Sequence, residues 1–342
     1  MRRSTTVAWW RIGPAAVTFL TAVVIMVGRW DAIWASHPAY LTTLVTVMGM
    51  SLAIGITGML ERSSGSRLTE PLQAAPDGVA DPAGPGETAE APPPRHRRRR
   101  VAIRSAALLG VAALLGVLVY LRPLPASNVA VDAMSGRSRV TVTDSSTRIV
   151  LRPIGASRRT GLVFFPGALV DPRAYVPNLT PVAAAGYRVV IVKPPYNIAL
   201  LDPRAAGKVM DANPDINRWA VGGHSLGGVT ASSAAGGTDA RIAGLLLWAS
   251  YPNGSIASRT GLDVTSVSGS EDGLATPAKI EASAKDLPPD TEFVVVEGAT
   301  HAYFGDYGAQ SGDGTATIRR ADAQEQIRVA SLALLERLDA DR

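Results

Sequence analysis

Three long runs of apolar residues without a polar face open the chain, at about residues 12–28, 40–60 and 101–121. Each approaches the roughly 20 residues that an α-helix needs to cross the hydrocarbon core of a bilayer. A helix on the surface of a soluble domain would instead combine an apolar and a polar face. Tryptophans, which favour the bilayer interface, flank the first run: Trp9, Trp10, Trp30 and Trp34. The pattern predicts three transmembrane helices, with Arg104 close enough to the start of the third to extend to the interface.

Arginine placement predicts the orientation of these helices. Basic residues precede the first apolar run, whereas the loop to the second carries only Arg29, offset by Asp31. Five more arginines precede the third run: Arg95, Arg97, Arg98, Arg99 and Arg100. The positive-inside rule therefore predicts a multi-pass protein of the cell membrane, with everything after Leu121 outside the cytoplasm. The first run is alternatively a cleaved signal peptide, because it is short and follows a basic start.

The stretch between the second and third apolar runs has almost nothing to bury. Residues 63–94 are rich in Pro, Gly, Ala and acidic side chains, a composition typical of disordered segments. Together with the arginine cluster, residues 63–100 are predicted to form a disordered cytoplasmic linker. Residues 1–62 then hold two transmembrane helices, and residues 101–121 hold the third.

The hydropathy pattern changes at about residue 138. Residues 139–143 and 147–151 alternate around the turn Asp144-Ser145-Ser146, which predicts an antiparallel hairpin. Short apolar runs then alternate with helical stretches. The predicted strands are residues 161–165, 187–192, 219–222, 242–249, 264–268 and 292–296. The predicted helices lie near residues 181–185, 204–211, 226–235, 277–285 and 321–338.

Continuous apolar strands separated by helices indicate a mostly parallel sheet that is covered on both faces. The predicted fold class is therefore α/β, with residues 138–342 as one domain after three transmembrane helices. Only about a dozen residues separate the predicted strands that end at Ala249 and begin at Val264. That length is typical of a plain connection, so we expect an open site without a cap domain.

Composition limits the chemistry and the partners. The 342-residue chain has no cysteine, which excludes disulfides, thiolate metal sites and a cysteine nucleophile. Much of its net charge of +5 comes from the arginine cluster beside the third apolar run. Such a cluster is typical of a topology signal or of contact with anionic lipid. No aromatic residues are interleaved with it as stacking platforms, so the expected partner is the lipid bilayer and not nucleic acid.

One motif indicates a nucleophile. Gly223-His224-Ser225-Leu226-Gly227 fits G-x-S-x-G, between a predicted buried strand and a predicted helix of small residues. A serine on that sharp turn exposes its hydroxyl above the strand ends, at a helix N-terminus that favours a developing negative charge. The motif alone is weak, since a glycine-rich turn between strand and helix is the plain alternative.

A serine hydroxyl needs a neighbouring base to become a nucleophile, and the chain offers four histidines. His37 lies between two apolar runs and His96 lies within the arginine cluster. His224 adjoins the serine, with its side chain expected to point away from the position of a base. His301, in a loop after the last predicted strand, is therefore the candidate base.

The base needs an acidic partner that orients its ring and stabilises its charged form. Asp272, just past the predicted strand 264–268, fits best, and its neighbour Glu271 is the main rival. Asp263 precedes that strand and so lies at the wrong end of the sheet. The chain order serine, acid, histidine is the order that G-x-S-x-G hydrolases use.

A tetrahedral oxyanion requires two backbone donors. The amide of Leu226, directly after the nucleophile, is one candidate. The other is the amide of Ala168 in Phe165-Pro166-Gly167-Ala168-Leu169, the loop after the predicted strand 161–165. Pro-Gly also occurs in ordinary turns, so this second donor is the weaker prediction.

Together these motifs resemble the α/β-hydrolase superfamily, in particular the alpha/beta hydrolase fold-5 group, which is related to dienelactone hydrolase. The resemblance extends over about residues 161–338, and its pieces are FFPGALVDPRAYVP, GYRVVIVKPPYN, WAVGGHSLGG, SGSEDGLATP and VVEGATHAYFGDYG. It implies Ser225, Asp272 and His301 as a catalytic triad. Dienelactone hydrolase itself has a cysteine nucleophile, so a serine here favours general ester hydrolysis over a lactone substrate.

The expected activity is hydrolysis of a small-molecule or lipid ester through an acyl-enzyme, with no metal or organic cofactor. An acyltransferase that uses the same residues is one alternative, and a membrane-anchored module with a relict site is another. Four aromatic residues are candidates to line the site, although ordinary packing explains each as well: Tyr196, Trp248, Tyr251 and Tyr303.

Overall fold

The structure is a computed structural model that describes residues 5–65, 94–136 and 139–340. The chain divides into two compact units. One unit consists of Met1–Gly28 and Thr42–Tyr120, and the other of Arg29–Leu41 and Leu121–Arg342. The second unit therefore takes in a short stretch from between the first two apolar runs.

The N-terminal part of the chain is helical. Its helices are α1 (Thr5–Gly28), α2 (Trp30–Ala35), α3 (Ala39–Gly65) and α4 (Pro94–Tyr120). Three segments within them are long and apolar enough to cross a membrane: Trp9–Gly28, Ala39–Met59 and Val101–Tyr120. Large apolar side chains on these helices are exposed, for example Val24 and Leu109, as expected of residues that face lipid.

The ends of the predicted linker 63–100 differ from the expectation. Helix α3 continues to Gly65, and α4 already begins at Pro94, so the arginine cluster is part of a helix. Arginine is a strong helix former, so a helix started in an apolar run continues readily through a basic one. The rest of the predicted disordered linker, residues 66–93, lies outside the described residues.

The second unit contains an eight-stranded sheet. Its strands are β1 (Val140–Asp144), β2 (Arg148–Pro153), β3 (Thr160–Phe165), β4 (Arg188–Val192), β5 (Arg218–His224), β6 (Ile242–Trp248), β7 (Asp263–Gly269) and β8 (Glu292–Val296). The strand order is β1-β2-β4-β3-β5-β6-β7-β8. The predicted hairpin β1–β2 is antiparallel, and β2 pairs antiparallel with β4. All later strands pair in parallel, so their carboxyl ends share one edge.

Helices cover both faces of the sheet. They are α5 (Asn128–Ala133), α6 (Val176–Ala184), α7 (Ala205–Asp211), α8 (Leu226–Ala235), α9 (Pro277–Ser283) and α10 (Arg320–Ala340). Side chains of α6 and α10 share one apolar core with Leu162 and Phe164 of β3. Side chains of α7 and α8 share the other with Val163 and Phe165. This alternation along one strand explains why its sequence is a continuous apolar run.

The predicted α/β class, with a mostly parallel sheet, is confirmed. Two six-residue helices, α2 and α5, were not predicted, because so short a segment shows no periodicity. Helix α6 begins at Val176, before the predicted start at Pro181. Pro177 lies in the first turn of α6, where a missing N–H costs nothing, and Pro181 lies inside the helix.

Candidate active site

Ser225 lies on a sharp turn between β5 and α8, with φ 53° and ψ −124°. This left-handed conformation is costly for a residue with a side chain, and it persists only where the surroundings impose it. The side chain is half-buried, whereas the residues of β5 beside it are buried. The turn therefore presents the hydroxyl at the carboxyl edge of the sheet.

Two glycines make this turn possible. A Cβ on Gly223 would lie 2.4 Å from the carbonyl carbon of Gly227, and one on Gly227 would lie 2.2 Å from the carbonyl oxygen of Phe165. Neither distance is compatible with a side chain. The glycines of the G-x-S-x-G motif are thus required by close backbone approach between β5, α8 and the end of β3.

His301 and Asp272 meet at the same edge of the sheet. Nδ1 of His301 lies 2.8 Å from Oδ2 of Asp272, and both side chains are buried. A carboxylate can only accept, so Nδ1 carries the proton and Nε2 is left with a lone pair. The structure thus brings together the base and the acid that the sequence predicted 29 residues apart.

Of the acidic candidates, only Asp272 contacts the histidine ring. Its second oxygen, Oδ1, accepts hydrogen bonds from the amides of Leu274 and Ala275 at 2.8 Å each. These donors fix the orientation of the carboxyl group. Glu271 is exposed and lies against the hydroxyl of Ser270, and Asp263 pairs with Arg337 at the opposite edge of the sheet.

Nε2 of His301 is buried and has no hydrogen-bond partner among the described residues. The bond to the Ser225 hydroxyl is therefore not formed in this structure. Such bonds are often long without substrate and tighten when the acyl group is bound. His224, the neighbour of Ser225, packs its ring 4.4 Å from the ring of His301, so the two loops do meet.

The loop after β3, residues 166–170, carries the predicted second oxyanion donor and is here called the oxyanion loop. Gly167 donates its amide to Oη of Tyr175 at 2.8 Å, and Leu169 donates to the carbonyl of Asn197 at 2.9 Å. The amide of Ala168, between them, makes no hydrogen bond within the described ranges of the chain. Leu226 is the first residue of α8, and the N–H groups in the first turn of a helix have no acceptor within that helix. Both predicted donors are thus available.

A buried polar chain joins the oxyanion loop to the base. The hydroxyl of Tyr175 accepts from the amide of Gly167 and forms a second hydrogen bond, 2.9 Å long, with Nδ1 of His224. Burial, followed by the electrostatic effect of the neighbouring His301, holds the pKa of His224 well below its usual range. His224 is therefore neutral and structural, and it connects the two halves of the site.

Asp313 was not anticipated from the sequence. Its carboxylate accepts hydrogen bonds from the amides of His301 and Ala302, at 3.0 and 2.9 Å, and from the amide of Gly273 at 3.3 Å. It thus ties the loop that carries Asp272 to the loop that carries His301. Asp313 stands in an irregular Gly-Asp-Gly stretch, and no pattern in the sequence marks it.

The aromatic residues suggested for the site's lining are mostly packing residues. Trp248 is fully buried, its indole N–H donates to Ser331, and its ring packs on Phe164 and Phe304. Tyr303 lies under the guanidinium of Arg320. The connection between β6 and β7 contains no helix or strand, so no extra domain is inserted there.

Residues 161–325 match the model of the Alpha/beta hydrolase family. No curated protein matches the chain. Three solved structures are similar to it. One is a putative dienelactone hydrolase from Klebsiella pneumoniae subsp. pneumoniae MGH 78578. It is 14% identical in sequence, the match covers 58% of this chain and 98% of that chain, and the TM-score is 0.46. An alpha-beta serine hydrolase homologue from Coxiella burnetii is 16% identical over 59% and 97%, with a TM-score of 0.41. TT1662 from Thermus thermophilus is 16% identical over 60% and 100%, with a TM-score of 0.45.

The family match and the sheet agree with each other. The matched range begins within β3 and ends within α10, so it contains the parallel part of the sheet and every candidate site residue. The resemblance predicted from the motifs is confirmed, and the fold is consistent with hydrolase activity. The domain built on this sheet has the alpha/beta hydrolase fold, and residues 161–325 of it match the model of that family.

Proposed function

We propose that this protein is a membrane-anchored serine hydrolase that cleaves carboxylic esters through an acyl-enzyme. The observation that carries the proposal is the buried hydrogen bond between His301 and Asp272, at the sheet edge where the half-buried Ser225 lies. An aspartate bonded to Nδ1 fixes the tautomer whose Nε2 accepts a proton, which is the form that a general base requires.

The proposed reaction has two stages. Nε2 of His301 removes the proton of the Ser225 hydroxyl as its oxygen attacks the acyl carbonyl, and Asp272 stabilises the imidazolium that forms. The amides of Ala168 and Leu226 stabilise the negative oxygen of the tetrahedral intermediate. The imidazolium then protonates the departing alcohol, and water, activated by the same histidine, releases the acyl group as an acid.

Labelling with a fluorophosphonate tests this function, since the reagent reacts only with an activated serine. We expect the full-length protein in detergent to be labelled and to hydrolyse a p-nitrophenyl ester, and Ser225→Ala to lose both activities. Ser233→Ala, an exposed serine two turns along the same helix, should retain both. Labelling that survives Ser225→Ala, or folded wild-type protein that neither reacts nor hydrolyses any ester in a short-to-long acyl panel, would refute the proposal.

We also propose that the hydrolase domain lies outside the cytoplasm. The arginine distribution supports this orientation. This orientation also places Arg29–Leu41 and the chain after Tyr120 on the same side, as their membership of one compact unit requires. Two of the candidate membrane spans separate these segments, and an even number of crossings returns the chain to the same side.

The absence of cysteine makes this orientation easy to test. Single cysteines can be placed in the connection (Trp34→Cys), in the hydrolase domain (Ser157→Cys) and in the segment between the second and third spans (Thr88→Cys). A membrane-impermeant maleimide on intact cells should label the first two variants and spare the third. The opposite labelling pattern would show the reverse orientation. Labelling of Trp34→Cys without labelling of Ser157→Cys would contradict the placement of both segments on the same side of the membrane.

A further inference from the structure

The segment between the first two apolar helices packs into the same compact unit as the eight-stranded sheet. This segment, taken together with the first three residues of α3 as Arg29–Leu41, is here called the connection. It contains the short helix α2, in which Ala32 and Ile33 are almost fully buried. Loops that connect two membrane helices usually run over the protein surface, where such side chains would stay exposed. The connection therefore packs as an element of the domain, although it ends about 100 residues before the first strand.

Ser36 is the polar contact at the centre of this packing. Its hydroxyl donates to the carbonyl of Ala32 at 2.7 Å and accepts from Nδ2 of Asn197 at 2.9 Å. Both Ser36 and Asn197 are buried, so the bond between them is shielded from competing water. Asn197 lies in the loop after β4, residues 193–202.

Asn197 in turn contacts the oxyanion loop. Its carbonyl accepts the amide of Leu169 at 2.9 Å, and Leu169 directly follows the proposed donor Ala168. Two hydrogen bonds thus lead from the connection to the residue beside the oxyanion donor. An amide that must point at a developing charge has to be fixed in advance, because reorientation during the reaction costs activation energy.

The backbone at this contact is strained. Leu169, Tyr196 and Asn197 have φ values of 63°, 55° and 54°, in the left-handed region that residues with side chains avoid. Each such residue costs on the order of 1–3 kcal/mol and persists only where its neighbours impose it. The contacts between the two loops, and between Asn197 and Ser36, are what opposes relaxation here.

Further contacts support the same two loops. Asp31 of the connection pairs with Arg173 at 2.7 Å, just past the oxyanion loop, and Arg173 also pairs with the buried Asp171. The ring of Tyr40 meets that of Tyr196 edge to face, 6.3 Å apart. Leu124, from the chain just after the third apolar helix, accepts the amide of Asp171 and donates to the carbonyl of Leu169.

We propose that the connection supports the active site. Its residue Ser36 is a positioning residue that holds the oxyanion loop in place through Asn197. This inference rests on the proposed function, since it assigns the oxyanion loop a catalytic role. It makes catalysis depend on a residue that lies outside the range of the family resemblance and between two membrane helices.

The test compares Ser36→Ala with Ser283→Ala in the full-length protein. Both serines are buried and donate to a carbonyl in the preceding turn at 2.7 Å, but only Ser36 also accepts from Asn197. We expect Ser36→Ala to lower kcat for a p-nitrophenyl ester about tenfold with KM unchanged, less than the roughly 10²-fold or greater loss of a whole oxyanion donor. Ser36→Thr, which keeps the accepting oxygen, should restore kcat, and Ser283→Ala should change neither constant.

Hydrogen exchange of the Leu169 amide provides a readout independent of catalysis. It should quicken in Ser36→Ala and stay unchanged in Ser283→Ala. Unchanged exchange in Ser36→Ala would overturn the inference, as would faster exchange with an unaltered kcat. A wild-type protein without esterase activity would instead refute the proposed function, and the exchange rate would still decide whether Ser36 holds the loop.

Discussion

The two halves of the candidate site differ in where their supporting residues come from. The acid–base half consists of Asp272 and His301, and Asp313 of the same domain ties their loops together. The oxyanion half rests on Asn197 and, through it, on Ser36 from between the first two apolar helices. One half is complete within the part of the chain that forms the sheet, whereas the other depends on a segment that precedes the sheet. A domain's functional boundary can thus lie well outside its strands.

Breaking the acid–base half should have the largest effect. Asp272→Asn replaces a carboxylate acceptor with an amide that can donate to Nδ1 of His301, which favours the tautomer that cannot act as a base. We expect kcat/KM for a soluble ester to fall roughly 10³- to 10⁴-fold. Glu271→Gln, the same change one residue earlier on an exposed side chain, should have no effect. Equal losses in the two variants would contradict the assignment of Asp272.

Breaking the oxyanion half directly should have the next largest effect. A Cβ on Gly167 would lie 2.7 Å from Nδ1 of His224 and 3.0 Å from Oη of Tyr175, so Gly167→Ala must displace the oxyanion loop. We expect kcat to fall on the order of 10²-fold, as when an oxyanion donor is lost.

The matched control for this change is Gly207→Ala in α7, where an added Cβ meets nothing within 4 Å. It should leave kcat unchanged and raise the thermal midpoint slightly, because alanine is the better helix former. If Gly167→Ala were as active as Gly207→Ala, the loop after β3 would have no role in transition-state stabilisation.

Replacing His224, which connects the two halves, should have the smallest effect. This effect is on the free energy of unfolding, and it depends on pH. Burial holds the pKa of His224 well below 6.5, so the unfolded chain binds a proton near pH 6 that the folded chain rejects. The free energy of unfolding therefore decreases as pH falls below about 6.5, by up to about 1.4 kcal/mol per pH unit from this group. His224→Gln removes this contribution, so denaturant melts of the variant should show a shallower decline from pH 6.5 to 5. Parallel declines would show that His224 is protonated in the fold.

The acid–base half could be predicted from the sequence because local patterns mark it. Ser225 stands in a G-x-S-x-G turn flanked by strand and helix signals, and Asp272 and His301 each follow a buried strand of a parallel sheet. Since such strands end at one edge, their order along the chain predicts that the three residues lie at the same edge of the sheet. His301 was found by elimination, which was possible only because the chain has four histidines.

The supports of the site could not be predicted, because they depend on contacts between distant segments. Nothing in the sequence near Asp313 shows that its carboxylate bonds to two loops. Asn197 occurs in the Pro-Pro-Tyr-Asn stretch, where a turn is expected but a left-handed tyrosine and asparagine are not. The short helix α2 was read only as part of a membrane loop with interfacial tryptophans, since hydropathy does not reveal a partner 161 residues away.

The early place of the connection in the chain has a consequence for synthesis. At about 5–20 residues per second, Asn197 leaves the ribosome roughly 10–30 s after Ser36. During that interval Ala32 and Ile33, buried in the finished protein, have no domain to pack against. The contact between Ser36 and Asn197 can therefore form only after the loop that carries Asn197 has been made.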